Sequence, residues 1–239
     1  MLEHQIKMGR DALFYLLSAN HLLVRKRKRR IQTTQSFHWL RKYPNLIREF
    51  TPTAPNQLWV SDITYWKIET GYVYISFITD AYSHKIVGCH VAETLESVET
   101  IQALKMALSG LLKEPESHFQ LIHHSDRGVQ YCHHKYVKLL QDYYIKISMT
   151  ESGDPLENAV AERVNGIIKE EYLQYYTVKN IKEAKKVLDF VVKLYNEDRP
   201  HNSIGNLLPS QVHEEKIKTE KLWKNYYKKN PIIVNQFQD

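Results

Sequence analysis

The chain has 239 residues, 43% of them hydrophobic, enough for one main domain of ordinary size with smaller attachments. No apolar run reaches membrane-spanning length, the start MLEHQIKMGR has no apolar secretory centre, and Cys89 and Cys132 make neither a disulfide framework nor a CxxC zinc pattern, so a reducing cytoplasmic setting is expected. The formal charge of +6 sits at one end: residues 1–50 hold eleven Lys/Arg against three acids, a balance of +8, which leaves −2 for the rest.

That N-terminal basicity reads as an arm for a polyanion, most often nucleic acid, with a solvated linker as the plain alternative. The run Arg25, Lys26, Arg27, Lys28, Arg29, Arg30 is its densest part and the first set of candidate DNA contacts. Before it, GRDALFYLLSA (9–19) carries apolar positions at helical spacing, a short helix too small to be a domain. Residues 33–50 are polar and aromatic without clear period, and Thr51-Pro-Thr-Ala-Pro-Asn56 reads as a linker. The chain thus divides into a basic helical N-terminal arm (1–50), a core (51–213) and a basic tail (214–239).

The core alternates strand and helix patterns. Leu58–Trp66, Tyr72–Thr79 and Lys85–Ala92 are rich in β-branched and aromatic residues and read as an antiparallel meander. Ser97–Leu112 is a helix whose apolar side comprises Ile101, Leu104, Met106, Ala107 and Leu111. A strand ending at HHSD, a helix near His134–Tyr143, a strand Ile145–Thr150, a helix from Pro155 and another over Ile181–Tyr195 follow. This is the element order of an α/β ribonuclease H-like fold, a mixed five-stranded sheet flanked by helices.

Within that order three carboxylates stand out. Asp62, in QLWVSDITYW, falls mid-strand, where an ionised group is costly unless the strand is an edge in water or a charge or metal meets it. Asp126 ends the fourth strand, which in this fold lies beside the first. His123 and His124, next to it, point to opposite faces of a strand and do not converge on one ion. In ESGDPLENAVAERVNGIIKEEYL, Asp154 suits an N-cap, Pro155 the first helical position and Glu157 the reciprocal capping acid. Leu156, Val160, Val164, Ile167 and Ile168 then form a buried stripe, with Glu162, Asn158, Asn165 and Lys169 on the opposite face. Alone that is an ordinary solvated face; with Asp62 and Asp126 it completes a set. Carboxylate oxygens are the ligands of Mg²⁺ or Mn²⁺, and two ions can serve an in-line displacement at phosphorus.

Asp62, Asp126, thirty-five intervening residues, Glu162, then six more to Lys169 resembles the D, D-35-E signature of retroviral integrases and related bacterial transposases. The words WVSDITYW, TDAYSHKIVG, HHSDRGVQY, GDPLENAVAERVNGIIKEEYL and YNEDRPHNSIGNLLPSQV are similar to the orfB-type transposases of the IS-three family of insertion sequences, from about residue 5 to residue 213. The resemblance implies an integrase-type catalytic core that frees and joins DNA 3′ ends, with Asp62, Asp126 and Glu162 as catalytic metal ligands for two Mg²⁺ or Mn²⁺ ions. It also implies Lys169 at the DNA, an upstream-frame helix-turn-helix partner, a homo-oligomer on double-stranded DNA and a nucleoid-associated location; Asn158 and Asn165, which share the helix face of Lys169, are candidate DNA contacts with it. Where many members carry an Asp, this chain has Glu157, which is not carried over as catalytic. Asp80 suits a turn cap or a metal-proximal place, and Arg199, His201 and Asn202 suit DNA or a helix end. Two other readings share these residues: a nuclease that cuts without joining, and an inactive relative that occupies element ends as a repressor.

Overall fold

The stretch from Leu58 to Ile68 is buried on both faces except at Asp62, Tyr65, Lys67 and little else, the burial of a central strand rather than of an alternating edge. In the computed structural model, which describes residues 8–20, 22–23, 38–111, 120–151 and 158–219, it is β1 (Leu58–Ile68). β2 (Gly71–Asp80) and β3 (Ile86–Ala92) complete the antiparallel meander. β4 (Ile122–Ser125) then runs parallel to β1, and β5 (Lys146–Met149) parallel to β4. The sheet order β3-β2-β1-β4-β5 is the mixed five-stranded arrangement that the element order predicts.

Helices cover both faces, as a sheet buried on two sides requires. On one face, α2 (Ser97–Leu111), the short α3 (Val129–Cys132) and α4 (His134–Asp142) enclose Trp59, Ile63, Ile78, Leu104, Tyr136 and Met149. On the other, α5 (Ala159–Ile167), continued by a π-helical turn (Ile168–Tyr172), and α6 (Ile181–Glu197) enclose Trp66, Ile75, Phe77, Val164 and Leu188. A smaller cluster of Leu58, Val60, Ile122 and Ala161 joins α5 to the parallel strands. The expected apolar side of α2 is right except at Met106, which is half exposed, while Ala103 and Leu108 are buried in its place.

The flanks of the core extend beyond the boundaries that composition suggests. Residues 38–50 lie against the outer edge of β5: Met149 N–H donates to the Pro44 carbonyl, Leu46 N–H to Ser148 Oγ, and Arg48 pairs with Glu151 at 2.6 Å. Leu40 and Tyr43 pack on one sheet face, Ile47 and Phe50 on the other. At the far end, α7 (Pro209–Glu214) and the residues to Thr219 clasp the β2–β3 turn through His213, Glu214 and a Tyr82 hydroxyl bond to the Ile217 carbonyl. α1 (Arg10–Ala19) forms where the sequence predicts a helix and buries none of its residues. No helix among the described residues is long and apolar enough to cross a membrane.

One contact sets how closely α2 approaches the sheet. A Cβ placed on Gly88 of β3 would lie 2.2 Å from the Ala103 carbonyl oxygen, a backbone atom that has no flexible end to give way. Gly88→Ala is therefore expected to separate α2 from the sheet and cost about 1–3 kcal/mol; thermal unfolding of the purified variant checks this, and an unchanged melting temperature would show that the helix has room to shift.

Candidate active site

The parallel pairing of β1 and β4 sets the site. Their register runs Leu58↔Ile122, Trp59↔His123, Val60↔His124, and there it stops. Two residues beyond the last pair on each strand come Asp62 and Asp126, which therefore share a sheet face at the carboxyl end of β4. Past Val60 that edge of β1 has no strand partner among the described residues. α5 packs against β1 and carries Glu162 in its first turn, close enough for its charge to act on Asp62.

Asp62 is held in orientation by two donors. Its Oδ1 accepts the Ile63 N–H at 2.9 Å, and its Oδ2 accepts Asn165 Nδ2 at 2.7 Å. Burial and then the charge of Asp126 push its carboxyl up to about 7, with Glu162 adding to the rise and the Ile63 and Asn165 bonds opposing it. Asp126 Oδ1 accepts the Gly128 N–H at 2.9 Å, which folds Asp126-Arg127-Gly128 into a tight turn before α3.

The donor chemistry fits a divalent cation: carboxylates that repel one another in a half-buried setting are relieved by positive charge. Among the described residues no group of three His, Cys, Asp or Glu side chains converges on one point. Asp62 on β1 and Asp126 just past β4 do act on each other electrostatically, and Mg²⁺ is commonly held by one or two carboxylates with water and substrate phosphate making up the remainder.

Asn158 and Asn165, expected on a DNA-facing surface, are buried instead. Asn158 Nδ2 donates to the Ser61 carbonyl at 3.0 Å, satisfying an acceptor on the open edge of β1, while Asn165 holds Asp62. Both were assigned to the polar side of the helix correctly; that side faces the unpaired edge of the sheet rather than solvent. The stripe opposite includes Val164, Ile167 and Ile168 as predicted, with Ala161 buried and Val160 partly so. Lys169 lies in the π-helical turn, its Nζ 3.7 Å from the centre of the Tyr65 ring, a cation–π contact that sequence spacing gave no sign of. The basic run 25–30 and the capping residues 154–157, Glu157 among them, lie outside the described residues.

The neighbouring histidines divide between the two faces, as strand alternation requires. His123 meets the Ser61 hydroxyl at 2.7 Å and the Tyr136 hydroxyl at 2.9 Å, and burial lowers its pKa to about 3. His124 meets Ser148 Oγ at 2.8 Å. Asp80 is fully buried beside the amino end of β1, paired in register with Trp59, and accepts from the Asn56 and Ser83 backbone N–H groups and the Ser83 hydroxyl. That is a turn-capping role. Arg199 makes a two-pronged ion pair with Glu171 at 2.7 and 3.0 Å, and His201 is buried between His84 and Tyr195, so both brace the end of α6.

An integrase core domain model matches residues 52–155, and a second model of the same description matches residues 143–209. The chain is 37% identical over 215 residues to the insertion element IS600 31 kDa protein of Shigella sonnei, covering 89% of this chain and 78% of that one. It is 29% identical over 214 residues to the transposase for insertion sequence element IS629 of the same organism, covering 90% and 71%. Among solved structures, the trimeric form of the HTLV-2 integrase catalytic core domain in complex with magnesium matches with a TM-score of 0.52 at 22% identity, over 66% of this chain and 97% of that one, a likeness of fold.

The raised Asp62 pKa has a consequence for stability. The native carboxyl keeps its proton up to about 7 while the free carboxyl loses it near 3.8, so the native state binds more protons in between and stability falls as pH rises through that window. Without divalent ions, the chain should melt at a lower temperature at about pH 8 than at about pH 6, and Asp62→Asn should remove most of that difference. A pH dependence that survives Asp62→Asn intact would place its origin elsewhere.

Proposed function

Since the chain belongs to the insertion-sequence transposases built on an integrase core domain, we propose that Asp62, Asp126 and Glu162 form a divalent-metal site at which it hydrolyses phosphodiesters at element ends and joins the freed 3′ ends to other DNA. The observation that carries this is the register of β1 and β4, which brings Asp62 and Asp126 together beneath a helix bearing Glu162. The magnesium in the similar integrase core structure supports the choice of ion.

Asp62 and Asp126 are the proposed principal ligands, and Glu162, half-buried in the first turn of α5, is the proposed third. Bound Mg²⁺ or Mn²⁺, two ions in the full reading, would supply a deprotonated nucleophile and charge neutralisation at the leaving 3′ oxygen. The chain's own groups supply orientation. Asn165 fixes the Asp62 carboxylate and Asn158 fixes the strand edge behind it, so the ligands need little reorganisation. Lys169, parked on Tyr65, is placed to leave the ring for a DNA phosphate. The remaining parts of this reading are the basic run 25–30 as a nonspecific DNA arm, a helix-turn-helix partner or fused segment for end recognition, and several copies in the DNA complex.

Two measurements test the reading. Nicking and end joining of a supercoiled plasmid carrying the element's terminal repeats, in Mg²⁺ and in Mn²⁺, should fall about a thousandfold or more with Glu162→Gln and stay near wild type with Glu157→Gln. The reverse result would move the third ligand to residue 157, and nicking without joining would make the protein a nuclease. Asn165→Ala, which removes a bond that lowers the Asp62 pKa, should shift the acid limb of the rate–pH profile to higher pH; an unmoved limb would sever Asn165 from the site.

A further inference from the structure

Trp39 is the most exposed large hydrophobic side chain among the described residues, at 92%. An indole of that size left in water is unusual, and here the backbone carrying it is not loose. His38 Nε2 bonds the carbonyl of Arg127, the residue after Asp126, at 2.8 Å, and Lys42 Nζ donates to the His38 carbonyl at 3.0 Å. Leu40 and Tyr43 are packed into the core on the α2 side of the sheet. The ring is thus held out into solvent by an anchored segment tied to the Asp126 turn.

Its surroundings are cationic. Arg41 and Lys42 are exposed and Arg127 is half-buried, and the Arg41 guanidinium stacks 5.2 Å from the Tyr43 ring centre. Lys42 bonds the carbonyl of the same His38 whose ring meets the Arg127 carbonyl, so both cations belong to the segment tied to the Asp126 turn. An exposed aromatic plane beside cations, on a segment tied to the turn after Asp126, has the composition of a single-strand platform: base stacking on the ring and phosphates on the charges. A paired, stacked base presents no free π-face, so the ligand must be a base already out of the duplex.

We propose that Trp39 is a stacking site for one unpaired nucleobase of DNA, with Arg41, Lys42 and Arg127 holding the adjoining phosphates. That the base lies next to the phosphodiester being cut rests on the catalytic reading of Asp62 and Asp126; the stacking itself does not.

The test uses the full chain and labelled oligonucleotides, one single-stranded and one fully paired duplex, without divalent ions so that binding is separated from cleavage. Trp39→Ala should weaken single-strand binding about tenfold, Trp39→Phe should recover most of it, and duplex binding should change little. The slope of log affinity against log salt should be unaltered in Trp39→Ala but fall by about one in Lys42→Ala. The proposal is overturned if Trp39→Ala binds single strands as wild type does, if single-strand and duplex binding fall together, or if the substitution abolishes self-association in sedimentation without touching oligonucleotide affinity. Trp39-dependent single-strand binding by a chain that neither nicks nor joins with any metal would uphold the stacking site and remove the transposase chemistry.

Discussion

A carboxylate on the central strand of a sheet is costly, and the molecule is arranged around where that cost is met. β4 ends three pairs into its contact with β1, so Asp62 falls just past the point where the strand loses its neighbour. The opening gives the carboxylate partial access and makes room for α5 to approach with Glu162 and two asparagines. Had β4 continued in register, Asp62 would be enclosed and its charge unsupportable. The short strand, not the acidic residue alone, makes a site possible.

Asp80 gives the contrast within the same sheet. It is more deeply buried than Asp62, yet backbone and hydroxyl donors meet both of its oxygens, and the turn it organises ties Asn56, Ser83 and His213 into one cluster. Its charge is satisfied internally. Asp62 has two donors as well, but burial and then the charges of Asp126 and Glu162 outweigh them. Of the two aspartates, Asp80 closes the fold through its donors, while at Asp62 burial and the neighbouring acids together outweigh the two donors it has.

Most of this was readable in the residues because the strands are regular. Alternation put His123 and His124 on opposite faces, and element order put Asp126 beside Asp62. The burial of Asn158 and Asn165 was not legible for a definite reason: a helical pattern separates an apolar from a polar side but does not say that the polar side meets water. Here it meets the bare edge of β1, where backbone acceptors want donors. Segment 38–50 was illegible for a related reason. It has no period of its own because its bonds go to β5, Glu151 and Arg127, partners remote in sequence.

The two edges of the sheet's parallel half are therefore finished in different ways. The outer edge of β5 is flanked by residues 38–50, which take the Met149 N–H and meet Ser148 Oγ, and so obstruct it as a place for other strands to pair. The inner edge of β1 is left uncovered by strand and is met by side chains alone: Asn158 at the Ser61 carbonyl, Asn165 at Asp62, Lys169 over Tyr65. Side chains can exchange partners while a strand ladder cannot, so the inner edge can rearrange without unfolding the sheet. The covering segment, anchored at one end to the turn after Asp126, converts the closed edge into a fixed support beside the open one.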